Sequence, residues 1–87
     1  MAAFTPPPQQ GWQPGQVIVN ATEAKVPKDR LDPPVPIVAR IVWAEDGEEW
    51  IETEALGWTG HEVYVRVSDR RYRLTATWLD ADDVTRR

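Results

Sequence analysis

From Pro36 onward, apolar and polar positions alternate in short runs. PIVARIVWA (36–44) is apolar and β-branched, and WIETEALGW (50–58), EVYVRV (62–67) and YRLTATWL (72–79) follow it. The pieces between them, EDGEE, GWTGH and SDRR, are turn-like. Four strands spaced roughly 8–12 residues apart are the pattern of a small all-β unit. No window holds helical periodicity over three turns. Short loops between sequential strands make the neighbours antiparallel, hence a meander.

Turn chemistry predicts the register. A three-residue hairpin loop takes glycine at its last, left-handed position, and Glu45-Asp46-Gly47 supplies it. That loop sets Ala44 opposite Glu48, Ile41 opposite Ile51 and Arg40 opposite Glu52. Ile37, Ala39, Ile41 and Trp43 then share an inner face with Ile51, Thr53 and Ala55. Val38, Arg40 and Val42 share the outer face with Trp50, Glu52 and Glu54. A slip of one residue would bury glutamates beside Ile41 and Trp43, which is costly without partners. A connection through Gly57–His61 sets Leu56 opposite Glu62 and Glu54 opposite Tyr64. A four-residue turn at Ser68–Arg71 sets Val67 opposite Tyr72, Val65 opposite Leu74 and Arg66 opposite Arg73. In this register Trp43, Tyr72 and Trp78 are core, and Trp50 and Tyr64 face outward.

Composition divides the chain. All eight prolines lie at or before Pro36. Residues 1–15 are poor in aliphatics and rich in Pro, Gln and Gly, so they are expected to be a disordered tail. Residues 16–35 read as an irregular arm or linker in which Val17, Ile18 and Val19 could add an edge strand. Pro33 and Pro36 have the PxxP spacing of a polyproline II ligand, a spacing common in any Pro-rich linker. Residues 36–87 are the folded unit, and four of the five tryptophans lie there. A unit this small buries only about 60% of its unfolded surface, so large aromatics matter to its core. The absence of cysteine removes disulfides and thiolate metal sites. No apolar run is long enough to span a membrane, and a cytoplasmic location is the expectation.

The formal net charge is −4, yet Arg66, Arg70, Arg71 and Arg73 fall within eight residues. The register predicts an outer ladder Arg40–Glu52–Arg66–Arg73, each pair contributing about 0.2–1 kcal/mol. The competing reading is an anion or nucleic-acid contact made by Arg66, Arg70, Arg71 and Arg73, with Arg86, Arg87 and a stacking Tyr64.

Asp80 is a plausible cap for one helical turn through Asp83, after which Val84 returns to the core. The strand count, the loop lengths and this terminal turn make residues 36–87 resemble the SH3-like and Tudor-like small β-barrels. The resemblance implies a mostly β fold: a small antiparallel four-to-five-stranded SH3-like barrel behind a disordered Pro-rich N-terminal arm. The acidic-aromatic opening of peptide-binding SH3 domains is missing. The ending TWLDADDV is similar to those of short actinobacterial and phage proteins.

Catalytic chemistry is scarce. His61 and Ser68 are single residues of their kind and lie seven positions apart, about 23 Å along an extended strand. They cannot form a nucleophile–base pair. His61 beside Glu62 has no zinc-ligand spacing and reads as a solvated turn residue. The run Glu45, Asp46, Glu48, Glu49, Glu52, Glu54 lacks the alternation of a calcium loop and reads as a solvated hairpin. No enzyme and no cofactor are expected. The aromatic patch Trp50, Tyr64 and Trp58, with Leu56, is the candidate anchor for a protein partner. The Tudor-like resemblance makes the same three rings a candidate cage for a methylated cation. The sequence carries no signal for the oligomeric state.

Overall fold

The computed structural model describes residues 15–23 and 29–87. The tail expected to be disordered lies outside these residues except for Gly15. Strand β1 runs Asp29–Trp43, β2 Gly47–Thr59, β3 Glu62–Arg66 and β4 Ala76–Asp80. A single 3₁₀ turn, Ala81–Asp83, leads into β5, Val84–Arg86. The five strands form one antiparallel sheet in the order β4-β3-β2-β1-β5. No α-helix occurs among the described residues.

The β1–β2 faces follow the sequence pattern, while the register differs. Ile41 lies opposite Glu49 rather than Ile51, and Arg40 opposite Trp50 rather than Glu52. The slip is two residues, so every side chain keeps its face. Ile37, Ala39, Ile41 and Trp43 are buried, and Ile51 and Ala55 pack with them. Glu49 lies on the inner face opposite Ile41, and the Trp43 indole N–H donates to its carboxylate at 2.9 Å. Gly47 has φ of +80°, as a glycine closing a hairpin turn requires.

Strand β1 begins seven residues before Pro36. Asp29 and Arg30 pair with Trp58 and Gly57, and pairing resumes at Val35 after an irregularity. Pro33 and Pro34 sit in that interruption, where a missing N–H removes no ladder hydrogen bond. The PxxP stretch is therefore part of a strand rather than a free polyproline helix.

Two further registers depart from expectation. The β2–β3 connection is the tight turn Gly60-His61, with Gly60 at φ +56°, so Thr59 lies opposite Glu62 and Gly57 opposite Tyr64. A bulge between Ala55 and Gly57 absorbs Leu56, and Ala55 lies opposite Val65 rather than Val63. On β4, Val65 lies opposite Thr77 and Val63 opposite Leu79. That slip of three residues inverts the faces. Leu74, expected in the core, is 65% exposed, while Thr77 and Leu79 are buried. Trp78 is buried, but on the Tyr64 face, its ring 4.9 Å from the tyrosine's. The cause is the loop between β3 and β4. It extends from Val67 to Thr75, because Arg71 turns inward over the Trp43 ring and Tyr72 packs edge-on against it.

The terminal turn follows its prediction. Asp80 caps the 3₁₀ turn by accepting from the Asp82 N–H at 2.8 Å, and β5 then pairs with β1 through Val84 opposite Ala39. The apolar run Val17–Val19 contributes isolated bridges rather than a strand. Ile18 bridges Trp43 of β1, and Ala21 bridges Leu79 of β4. The segment thus touches strands from both halves of the sheet, and Ile18 is buried in the core.

Candidate functional site

The β2 bulge decides how the aromatic residues are distributed. Trp50 projects from the outer face opposite Arg40 and is 53% exposed. Tyr64 also faces outward, opposite Gly57, and is half-buried against Trp78. Beyond the bulge the pleat inverts, so Trp58 lies opposite Val63 on the inner side. Leu56 is the extra residue of the bulge and is half-buried. The sheet therefore separates Trp58 from Trp50 and Tyr64, and these three rings do not enclose a cation.

Trp58, 38% exposed, instead borders a groove of about 260 Å³ at one end of the inner face. Leu31, Val35, Val63 and Val84 line it, and Arg86 stands at its rim. Val84 and Arg86 belong to β5, an edge of the sheet. The groove thus lies beside a strand with unpaired main-chain groups. Its signal in the sequence was partial. Trp58 was a candidate, whereas Leu31 and Val35 fell in the presumed linker.

The arginines separate into engaged and unengaged side chains. Arg71 holds an internal network. Its guanidinium grips Asp69 through two N–H donors at 2.9 and 2.7 Å, and reaches Glu49 at 2.6 Å and Asp46 at 3.1 Å. It also lies 4.2 Å from the Trp43 ring centroid. The Asp69 carboxylate raises the Arg71 pKa well above its ordinary value, the other two acids adding to it against some burial. The acids respond in kind. The hydrogen bond from the Trp43 indole, then that from Arg71, lowers the Glu49 carboxyl. Arg71 lowers Asp69. Gln16 first, then Arg71, lowers Asp46.

The outer ladder is rearranged. Arg66 bonds Glu54 at 3.2 Å, Glu52 takes Arg87 at 3.3 Å, and Arg40 spans Glu48 and Asp83. Arg66 and Arg73 are not opposite each other, since β4 begins at Ala76. Arg70 and Arg73 form no salt bridge among the described residues, although Arg70 lies near enough to Asp69 to lower its carboxyl slightly. Arg73 instead packs against Gly15, where a Cβ would run into the Arg73 side chain and the Arg71 carbonyl oxygen.

Asn20 was not anticipated. Its amide donates to the Arg40 carbonyl at 2.8 Å and to Asp83 at 3.1 Å, and accepts from the Val42 N–H at 2.9 Å. A lone asparagine after an apolar run carries no sequence signal for such a role. Comparison with family models, with curated proteins and with solved structures finds no match.

Proposed function

We propose that this chain is a non-catalytic protein-interaction module. The observation that carries the reading is the apolar groove beside β5, with Trp58 on its border. Its occupant is an extended segment of a partner protein. Such a segment would add along the free edge of β5 and place alternate apolar side chains against Leu31, Val35 and Val63. Arg86 at the rim favours an acidic residue near the end of that segment. Half-exposed tryptophan beside arginine is the composition of an interface anchor. Trp50 on the opposite face would be a separate contact.

The same reading takes the molecule as an SH3-like barrel. The supporting observation is the segment around Ile18–Ala21, which bridges Trp43 on β1 and Leu79 on β4. Among the described residues no helix is long and apolar enough to cross a membrane, and we read the protein as cytoplasmic. Nucleic-acid binding is the weaker alternative. Of the four clustered arginines, Arg71 and Arg66 are occupied by carboxylates, leaving Arg70 and Arg73.

Selection from a randomised peptide library tests the proposal. Selected peptides should shift the amides of Val35, Trp58, Val63 and Val84, and Trp58→Ala should weaken them by at least roughly fivefold, about 1 kcal/mol. Binding should survive moderate salt, whereas binding through several phosphates would not. Peptide shifts confined to the Trp50 face, or salt-sensitive DNA binding lost in Arg70→Ala and Arg73→Ala, would overturn it.

A further inference from the structure

The tight turn between β2 and β3 carries His61, while Asp80 and Asp82 flank the start of the 3₁₀ turn. Sequence spacing gave His61 no ligand partner, because its neighbours here are nearly twenty residues away. The fold brings them together. The His61 Nε2 lies 3.4 Å from one Asp80 oxygen and 3.6 Å from one Asp82 oxygen. One donor atom from each of the three falls within 4.8 Å of the other two.

These separations are longer than a good N–H···O hydrogen bond, about 2.7–3.2 Å. The two His61–Asp separations match the edge of a tetrahedron around an ion with bonds of about 2.0–2.2 Å, which is roughly 3.3–3.6 Å. The backbone fixes the group from both sides. The Ala81 N–H donates to the His61 carbonyl at 2.9 Å, and β3 pairs Glu62 with Asp80. The local charge is compatible with a cation. Asp83 is held by Arg40, and Glu48, Glu49, Glu52, Glu54, Asp46 and Asp69 each have an arginine. Asp80 and Asp82, like Glu45, have none among the described residues; Asp80 accepts the Asp82 N–H, and both carboxylates face the imidazole.

We propose that His61, Asp80 and Asp82 form a binding site for a divalent transition-metal ion of the zinc type. One imidazole nitrogen and two carboxylate oxygens suit zinc better than calcium or magnesium, which take oxygen ligands in larger number. Three protein ligands leave a position open to water. All three side chains reach solvent, so the ion exchanges freely and the fold does not depend on it. The site does not rest on the groove described above, which is lined by other residues.

The experiment titrates the full-length chain with zinc chloride at neutral pH and follows the His61 ring and backbone amides by NMR. The expected result is saturable binding centred on residues 60–62 and 80–83, with a rise in melting temperature. His61→Ala, which removes an exposed side chain, should abolish both while leaving the circular dichroism spectrum unchanged. Asp82→Asn should weaken binding by at least roughly tenfold, the lower end of what even an outer-shell partner costs. Magnesium chloride at the same concentrations should not saturate. Zinc shifts that centre on the Glu45–Glu49 hairpin, that persist in His61→Ala, or that fail to saturate would each overturn the proposal.

Discussion

Arg71 shows how one residue can account for a cluster that reads in sequence as a binding stripe. Its charge is spent on Asp69, Glu49 and Asp46, and its plane on Trp43. Only Asp69 is near in sequence, so the SDRR turn hinted at one pair and hid the others. Glu49 reads in sequence as a solvated hairpin acid because its indole and guanidinium partners depend on the exact register. Arg71→Ala should destabilise the fold by about 1–3 kcal/mol, between an exposed pair and a charged hydrogen bond. Arg71→Lys keeps the charge but loses the planar fork, and should recover less than half of that. Urea midpoints of the two variants check this. The pH dependence has a definite sign. Folding lowers the carboxyl groups of Asp46, Glu49 and Asp69 from ordinary values of 3.8, 4.5 and 3.8. In the window just below those values the unfolded chain binds more protons, so stability falls with acid. Their contribution is complete above about pH 5 and drains away as pH falls through the folded values. The melting temperature should decline in that range, and Arg71→Ala should flatten the decline. A decline of equal slope in both proteins would remove Arg71 as its cause.

Among the elements, β1 and β2 were legible because their alternation is long and their hairpin glycine unambiguous. The faces held although the pairing slipped by two residues, since a period of two is blind to that slip. β4 departs from its sequence pattern for the same reason in reverse. Its alternation, YRLTATWL, starts before the strand does, and a slip of three exchanged Leu74 for Thr77 at the core. No local signal measures how much chain the inward turn of Arg71 and Tyr72 consumes. The bulge at Leu56 was equally silent, and it alone moves Trp58 away from Trp50 and Tyr64. Turn glycines offer the sharpest test at this scale. Gly47 has φ of +80° with open space around its Cα, so a side chain there meets strain but no clash. Gly47→Ala should therefore destabilise by about 1–2 kcal/mol from backbone conformation alone. Gly60→Asn should be milder, because asparagine tolerates the left-handed region. Chemical denaturation of both variants decides it. Equal midpoints for Gly47→Ala and the parent would show that the turn relaxes to a different type.

In the whole molecule, the segment from Gln16 to Thr22 does more than an arm would. Its sequence reads as an arm or linker because it is short and precedes a run of prolines. Five apolar or small residues cannot announce that they will lie between β1 and β4. Gln16 accepts from the Glu45 and Asp46 N–H groups at 3.1 and 3.2 Å, clamping the β1–β2 turn. The Val19 N–H donates to the Val42 carbonyl, and the Thr22 N–H to the Trp78 carbonyl. Ile18, 4% exposed, fills the space between them. The segment is thus part of the core and should unfold with it. Ile18→Ala should lower stability by about 2–4 kcal/mol, through lost burial and the cavity left behind. Asn20→Ala should cost about 1–3 kcal/mol, because the Val42 N–H and Arg40 carbonyl lose their partner. A folded unit of this size holds only a few kcal/mol in reserve, so combining the two changes should leave the chain largely unfolded at room temperature. Amide exchange supplies the complementary measurement. The Val19 and Thr22 N–H groups should exchange as slowly as that of Val65 in the central sheet, because both open only with the global transition. Exchange at Val19 many times faster than at Val65, with an unshifted urea midpoint for Ile18→Ala, would make the segment a detachable flap and leave β4 as a free edge.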